Sequence, residues 1–181
     1  MVVDGGPDRI RERPGEAPPG PLSTLLVEVE SWDRVERFAR RLRELAGAGA
    51  ALADSGGFDG DPLPEDALPA WVRGEEGTKG REEARLRHAL HCGGPEWTVQ
   101  DLLSAFDPDL RSWTWWDVTR AGGNLVQVWA DAMWEDTFDC EGLRWACYLS
   151  GAHSMVGPIL EPAEVWARQP SLGLGDGGAA R

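Results

Sequence analysis

The sequence predicts an α+β fold, a mostly antiparallel split β-α-β sheet of the ferredoxin-like kind that carries a helical insertion. Three observations predict it. A strand-like run precedes a helical run near residue 30, a hairpin-like run lies in the middle of the chain, and a helical run precedes a strand-like run near residue 150. This order of strand, helix, insertion, two strands, helix and strand is that of the split β-α-β unit.

The chain length of 181 residues favours a single domain with tails. Residues 1–21 and 169–181 are rich in Gly, and the first segment is also rich in Pro, so we expect both to be disordered tails. The single α+β domain then spans residues 22–168. Its insertion spans residues 47–108 and contains two helices.

The first strand and the first helix are marked by a change in the spacing of apolar residues. Residues 23–30 alternate like a partly buried strand, and Ser31 offers a helix N-cap. Val35, Phe38 and Leu42 follow at helical spacing, with charged residues on the opposite side. Gly47 predicts the end of this helix.

The predicted insertion begins with a long acidic loop and continues with two helices. The first is expected over residues 78–92, where two glycines stop it. The second is expected to reach residue 106, because Thr98 and Asp101 have nearly the spacing of a capping box.

Five of the ten Trp residues lie between positions 113 and 134, where the pattern predicts a hairpin that turns within residues 121–124. Strand side chains alternate, so the hairpin has two different faces. The face expected to meet the core combines large rings with small aliphatic side chains: Trp113, Trp115, Val126, Val128 and Ala130. The second face carries Trp116 and Trp129, which lie directly opposite each other if Gly122 and Gly123 form the turn.

A helix and a strand are predicted after the hairpin. Asp139 can cap the helix, and Gly151 can end it. The strand covers residues 154–160, in which Pro158 predicts an edge position or an irregularity because proline donates no backbone hydrogen bond. A short helical turn around residues 162–169 follows.

The formal net charge of −13 limits the classes of partner. Such a charge disfavours nucleic-acid phosphates and anionic membranes and suits a basic protein, although it also serves solubility. The three Cys residues suggest no disulfide framework, and no apolar segment reads as a signal or a membrane span. We therefore expect a cytoplasmic protein that binds neither nucleic acid nor membrane.

Two groups of residues could carry metal or thiol chemistry. His88, His91 and Cys92 share one predicted helix and could bind zinc with Cys140 or Cys147, but no second ligand pair has zinc spacing. Cys140 begins a predicted helix, which favours a thiolate, whereas its acidic neighbours oppose one. The sequence therefore predicts no metal site and no cofactor.

The carboxylates offer no clear catalytic pair either. Asp117 and Asp131 lie on adjacent predicted strands, but the alternation places them on opposite faces. Paired acid-base catalysis needs both groups within reach of one substrate. The sequence thus predicts no catalytic residue and favours a protein that is not an enzyme.

The second hairpin face is the strongest functional candidate. One interpretation is that the insertion covers this face and that its rings are structural. The other is an aromatic patch with an acidic rim that binds a basic protein, as an immunity, inhibitor or adaptor protein would. The residues predicted to bind the partner are Trp116, Trp129, Asp131, Glu135 and Asp136.

Two alternatives belong to other functional classes. The first is a small-ligand-binding protein or enzyme with a Trp-lined pocket, for which Asp117, Gln127, Cys140 and His153 are the polar candidates. The second is an acidic decoy for a nucleic-acid-binding protein, which would need rows of carboxylates at phosphate-like spacing.

Overall fold

The computed structural model describes residues 8–93, 97–133, 135 and 138–175. Within them, an open four-stranded antiparallel sheet and six α-helices form an α+β fold, which confirms the predicted class. The strands are β1 (Leu22–Val29), β2 (Thr114–Gly122), β3 (Leu125–Asp131) and β4 (Ala152–Glu161), in the order β2-β3-β1-β4. The helices are α1 (Asp8–Arg11), α2 (Val35–Asp54), α3 (Gly74–His91), α4 (Val99–Ser104), α5 (Glu141–Ser150) and α6 (Ala163–Ala167).

The main core lies on one face of the sheet, which we call the first face. Leu25, Val27 and Val29 of β1 enter this core together with apolar residues of α2 and α5. Helix α5 also packs against α3 and α4. The hairpin face that was predicted to meet the core belongs to the same cluster, which confirms that prediction: Trp113, Trp115, Val126, Val128 and Ala130.

Helix α2 is longer than the sequence predicts. It continues through Gly47 and Gly49 to Asp54, so the predicted end at Gly47 is wrong. The residues between and after these glycines are mostly Ala and Leu, which are strong helix formers. Gly49 is also required by packing, because a Cβ atom added there would lie 2.5 Å from the Cβ of Phe106.

Helices α4, α5 and α6 begin close to the predicted signals, whereas α3 begins at Gly74, four residues before the predicted start at residue 78, and the short helix α1 was not predicted. Thr98 and Asp101 form the capping box of α4: the Asp101 side chain accepts the backbone N–H of Thr98 at 2.7 Å, and Thr98 Oγ1 accepts that of Asp101 at 3.2 Å. Asp139 Oδ1 accepts the backbone N–H of Glu141 at 3.2 Å, just before α5. In the described part of the chain, no helix has the length and apolar composition needed to cross a bilayer.

The hairpin forms as predicted, but its register differs. The turn lies at Gly123 and Asn124, and Gly122 pairs with Leu125. A bulge between Trp115 and Asp117 shifts the register, so that Asp117 rather than Trp116 pairs with Trp129. The predicted Trp116–Trp129 cross-strand pair is therefore wrong. An extra residue in one strand also reverses the faces that follow it, which strict alternation cannot anticipate. Asp117 therefore lies on the same face as Trp129 and Asp131, and the prediction that Asp117 and Asp131 lie on opposite faces is wrong.

The outer edges of the sheet are protected in different ways. At the β2 edge, residues 170–172 add backbone hydrogen bonds: Leu172 N–H to Val118 O at 2.8 Å and Arg120 N–H to Pro170 O at 3.0 Å. At the other edge, β4 has a register shift against β1 near Gly157 and Pro158. The structure thus confirms the edge position and the irregularity predicted from Pro158.

Residues from both predicted tails contact the sheet. Arg13 donates hydrogen bonds to Gln169 O and Ser171 Oγ, each at 2.7 Å. Helix α1 also contacts β2. Residues 8–13 and 169–173 therefore pack against the domain. Residues 1–7 and 176–181 of the predicted tails lie outside the described residues.

The packing of α2 on Phe106 leads to a stability prediction. We expect Gly49→Ala to lower the free energy of unfolding by about 1–3 kcal/mol, because the new methyl group overlaps an atom fixed close to the backbone. Gly80→Ala in α3 is the matched control, since nothing lies within 4 Å of its added Cβ, and it should raise stability by up to about 1 kcal/mol. Urea unfolding of both variants measures this. Equal stabilisation by the two substitutions would contradict the close packing at Gly49.

Candidate functional site

Trp116 and Trp129 form a second core cluster, on the sheet face opposite the main core, which we call the second face. With 4% and 0% of their surfaces exposed, they pack with Leu22 and Trp166. The Trp116 ring meets the Trp166 ring edge to face, with centroids 5.6 Å apart, and the Arg9 guanidinium lies over Trp116. Both rings therefore lie in a second core layer, which is covered by α6 and the N-terminal segment rather than by the insertion.

The three acidic residues of the predicted rim fall in different environments. Asp131 is half-buried, and its Oδ1 accepts the backbone N–H of Met133 at 3.0 Å. Glu135 is exposed, and its backbone carbonyl accepts the Ser23 hydroxyl at 3.2 Å. Asp136 lies outside the described residues. Asp131 and Glu135 thus lie near the end of β3, next to the buried Trp116 and Trp129 rings. They do not form an acidic rim around exposed rings, as the sequence had suggested.

Asp117 is the centre of a buried polar network at the β2 edge. Its carboxylate is fully buried and forms an ion pair with the Arg43 guanidinium, which reaches it from α2. It also accepts hydrogen bonds from Trp166 Nε1 at 2.7 Å and Ser171 Oγ at 2.6 Å. Arg13 adds a second positive charge 3.7 Å away. A buried carboxylate needs this many partners to offset the loss of hydration, which indicates a structural role.

Arg43 makes the corresponding contacts on the α2 side. Its Nε donates to Leu172 O at 2.7 Å, and its Nη1 donates to Ile10 O at 2.9 Å. Burial lowers the pKa of the guanidinium, while the carboxylate of Asp117 opposes that effect. Arg43 therefore joins α2, both terminal segments and β2 at one point.

The part of the second face that α6 does not cover carries an exposed apolar surface. We define the open sheet patch as Leu26, Leu125, Val156 and Ile159. Val156 and Ile159 are 59% and 44% exposed. Val156 pairs with Leu26, and Ile159 pairs with Thr24, whose other neighbour is Trp129, so all of them share the second face.

Acidic side chains border the open sheet patch. Glu28 pairs with Leu125 on one side and Ser154 on the other, and the Ser154 hydroxyl donates to its carboxylate at 2.9 Å. Glu161 and Asp131 lie on the same face at the opposite end of the strands. This apolar surface with carboxylates at both ends resembles the predicted surface in chemistry but not in its aromatic residues.

A cavity of about 610 Å³ lies on the helical side of the molecule, between the α3–α4 region and the start of α5. Two indole rings, Trp97 and Trp113, contribute to its wall. Its polar and charged lining consists of Cys92, Asp101, Ser104, Arg111, Asp139 and Glu141. The volume lies in the range of small-molecule sites.

A cluster of potential metal ligands borders this cavity. One nitrogen of His88, the sulfur of Cys92 and one carboxylate oxygen of Glu141 all lie within 4.8 Å of one another. Of the residues named from the sequence, His88 and Cys92 belong to this cluster, whereas the His91 ring lies 2.9 Å from the Tyr148 hydroxyl. Glu141 was missed, because only the fold brings the start of α5 to the end of α3. The four-residue spacing of His88 and Cys92 was the available signal.

The polar residues proposed for a small-ligand site do not converge. Asp117 and Gln127 face the second side of the sheet, where the Gln127 side chain accepts a hydrogen bond from Gln169. His153 is exposed on β4. Cys140 is buried at the start of α5, where burial raises the pKa of its thiol even though Arg144 lies close by. A reactive Cys140 thiolate is thus not favoured.

Comparisons of this chain with protein-family models, with curated proteins and with solved structures found no match.

The buried network predicts a large loss of stability when its charge is removed. We expect Asp117→Asn to lower the free energy of unfolding by about 3–5 kcal/mol, because Arg43 would remain buried without its counter-charge. Asp66→Asn, at an exposed position, is the control and should change stability by less than about 0.5 kcal/mol. Denaturant unfolding measures both.

A double-mutant cycle with Arg43→Met tests the pairing itself. The two substitutions together should destabilise the protein by less than the sum of the single effects, since the second removes the unpaired charge left by the first. Strict additivity would show that the Arg43–Asp117 ion pair does not account for the loss.

Proposed function

We propose that this chain is an acidic protein-binding module of the immunity, inhibitor or adaptor type rather than an enzyme. The partner is a protein with a basic surface, and the contact surface is the open sheet patch with its acidic border. The single observation that carries this proposal is the exposure of Val156 and Ile159 beside Glu28 and Glu161 on one sheet face. A group of exposed apolar side chains framed by charge is typical of an interaction surface.

The buried side chains of Trp116 and Trp129 stabilise the strands that carry the open sheet patch. Trp129 and Ile159 both pair with Thr24, and Gln127 and Val156 both pair with Leu26. The strands that carry the patch are therefore held by the second core cluster, in which Trp129 Nε1 donates to Thr119 Oγ1 at 2.6 Å. A rigid surface loses little conformational freedom on binding, which favours affinity.

The charge distribution favours a basic partner. The net charge of −13 produces a negative field around the molecule, and Glu28, Asp131 and Glu161 add local negative charge on the face that carries the patch. Such a field increases the rate of encounter with a positively charged protein and weakens as salt is added. Burial of Val156 and Ile159 would then supply the short-range part of the affinity.

Addition of a partner strand to β4 is less favourable than contact with its face. Pro158 has no N–H to donate, and the Gly157 carbonyl accepts a hydrogen bond from Arg144 at 2.5 Å. The Ala152 carbonyl also accepts one from Arg87 at 3.4 Å. Because this edge is interrupted and partly occupied, we assign the contact to the side chains of the patch.

Partner capture tests the surface. We expect Val156→Ser/Ile159→Ser to lose a basic protein that the tagged wild-type chain retains from a lysate of its source cells, because the apolar contact area is removed at constant charge. Quantitative mass spectrometry identifies the protein, and calorimetry with the purified partner should show at least about a tenfold weaker affinity. Raising the salt concentration should weaken the wild-type complex further.

The matched control is Leu86→Ser/Leu90→Ser, which replaces two exposed aliphatic side chains of α3, on the other side of the sheet. This variant should capture the partner as the wild type does. Capture that survives the patch substitution, or is lost only with the α3 substitution, would contradict the proposed surface. A captured protein that proves acidic, or a complex insensitive to salt, would contradict the electrostatic part.

The cavity on the helical side favours a second candidate function, the binding of a small ligand between Trp97 and Trp113. Its volume of about 610 Å³ and its mixture of indole rings with carboxylates and Arg111 support this candidate. A fragment screen monitored by the indole N–H resonances tests it. Resonance shifts confined to Trp97 and Trp113 would support ligand binding in this cavity. If neither resonance shifts, the compounds used do not bind there.

We also propose that the fold is the split β-α-β arrangement of the ferredoxin-like kind, with residues between α2 and β2 as a helical insertion. The antiparallel strand order β2-β3-β1-β4 supports this, because the first and third strands are central and the second and fourth are at the edges. Helix α3 and helix α4 both lie between α2 and β2 in the chain.

A further inference from the structure

We infer that His88, Cys92 and Glu141 form a binding site for a divalent transition-metal ion, Zn²⁺ above all, at the wall of the helical-side cavity. This inference goes beyond protein binding by the open sheet patch, which uses the opposite side of the sheet. It rests on the geometry of the three ligand atoms, on the environment of His88 and on the charges around them.

The three ligand atoms are close enough for one ion. His88 Nε2 lies 3.3 Å from Glu141 Oε2. Tetrahedral zinc with nitrogen and oxygen ligands at ~2.0–2.1 Å places two such atoms about 3.3 Å apart. The Cys92 sulfur lies within 4.8 Å of both, so its side chain must move toward them for the sulfur to bond to the same ion. His88 and Cys92 are held together because the backbone N–H of Cys92 donates to His88 O at 2.8 Å at the end of α3.

His88 has a buried nitrogen without a hydrogen bond. The residue is 4% exposed, and its ring is surrounded by the edges or faces of Trp97, Trp145 and Tyr148. Despite its proximity to Glu141, Nε2 has no hydrogen-bond partner among the described residues, because the two groups are not aligned. An unsatisfied buried nitrogen costs free energy, and a metal ion would satisfy it.

The charges of the cluster suit a divalent cation. A Cys92 thiolate and the Glu141 carboxylate together balance two positive charges, while neutral imidazole supplies a nitrogen ligand. Arg144 Nη1 lies 3.3 Å from Glu141 Oε1, which leaves Oε2 for the ion and orients the carboxylate as an outer-shell partner does. The nitrogen, sulfur and oxygen set is one that zinc accepts more readily than calcium or magnesium.

The fourth coordination position faces the cavity. Cys92 and Glu141 both line it, and the rest of its wall carries two carboxylates, Asp101 and Asp139, and one guanidinium, Arg111. The cavity therefore provides an entry path for a cation and space for a water molecule or another ligand on the bound ion. Three protein ligands with one open position distinguish this arrangement from a closed structural zinc site.

Metal titration of the full-length, reduced protein tests the site. We expect Zn²⁺ to bind with one-to-one stoichiometry in calorimetry, and Co²⁺ to produce a thiolate-to-metal charge-transfer absorption. Cys92→Ser should abolish that absorption, and both Cys92→Ser and Glu141→Gln should weaken Zn²⁺ binding by more than about a hundredfold, since loss of outer-shell partners alone costs 10–100-fold. The circular dichroism of each variant establishes that it is folded.

Two controls separate this ligand set from its neighbours. Cys140→Ser replaces the nearby buried thiol, and His91→Gln replaces the other histidine of the same helix end. Both should retain the Co²⁺ absorption and the Zn²⁺ affinity. Absence of binding to the wild type, an absorption that survives Cys92→Ser, or its loss in either control would overturn the inference.

Discussion

The buried ion pair between Arg43 and Asp117 is the constraint on which the arrangement of this fold depends. A carboxylate with no exposed surface is stable only where every acceptor position meets a donor, and here the donors come from separate parts of the chain. Trp166 and Ser171 supply neutral donors, and Arg13 supplies a second charge. The N-terminal segment, α2, α6 and the C-terminal segment must therefore all meet at the edge of β2.

This constraint explains why the second face of the sheet is only partly covered. The segments that meet at Asp117 cover the side of the face next to β2 and enclose Trp116, Trp129 and Trp166. No equivalent buried charge occurs on β4 among the described residues, and the side next to it remains open. The bulge at Trp116 contributes to this asymmetry, because it turns Asp117 toward the network and changes which side chains face α6.

Periodicity and capping residues predicted the α+β class, the hairpin, the hairpin face that meets the core and the capping box at Thr98. Each of these features depends on interactions between residues that are close in sequence. The length of α2, the register of the hairpin and the cover of the second face depend on contacts between distant residues, such as Gly49 with Phe106 and Arg13 with Ser171. Dependence on distant contacts also decides which parts of the candidate sites could be predicted. The separation of Trp116 and Trp129 from the main core was predicted correctly. Only the fold shows that terminal segments cover these two rings and that Val156 and Ile159 are exposed. Only the fold likewise shows that Glu141 lies next to His88.

The open sheet patch and the His88–Cys92–Glu141 cluster lie on opposite sides of the sheet. Arg144 contacts two residues of the cluster and also Gly157, the neighbour of the patch residue Val156. Its guanidinium lies beside Glu141 and Cys92, and it also donates to the carbonyl of Gly157, next to Val156 in β4. A metal ion that draws the Cys92 sulfur away from Arg144 would remove one of these contacts and leave the hydrogen bond to Gly157. Arg144 thus connects the end of α3 and the start of α5 to the irregular part of β4 beside the patch. If metal binding changed the affinity for a partner, partner binding would have to change the affinity for the metal by the same factor.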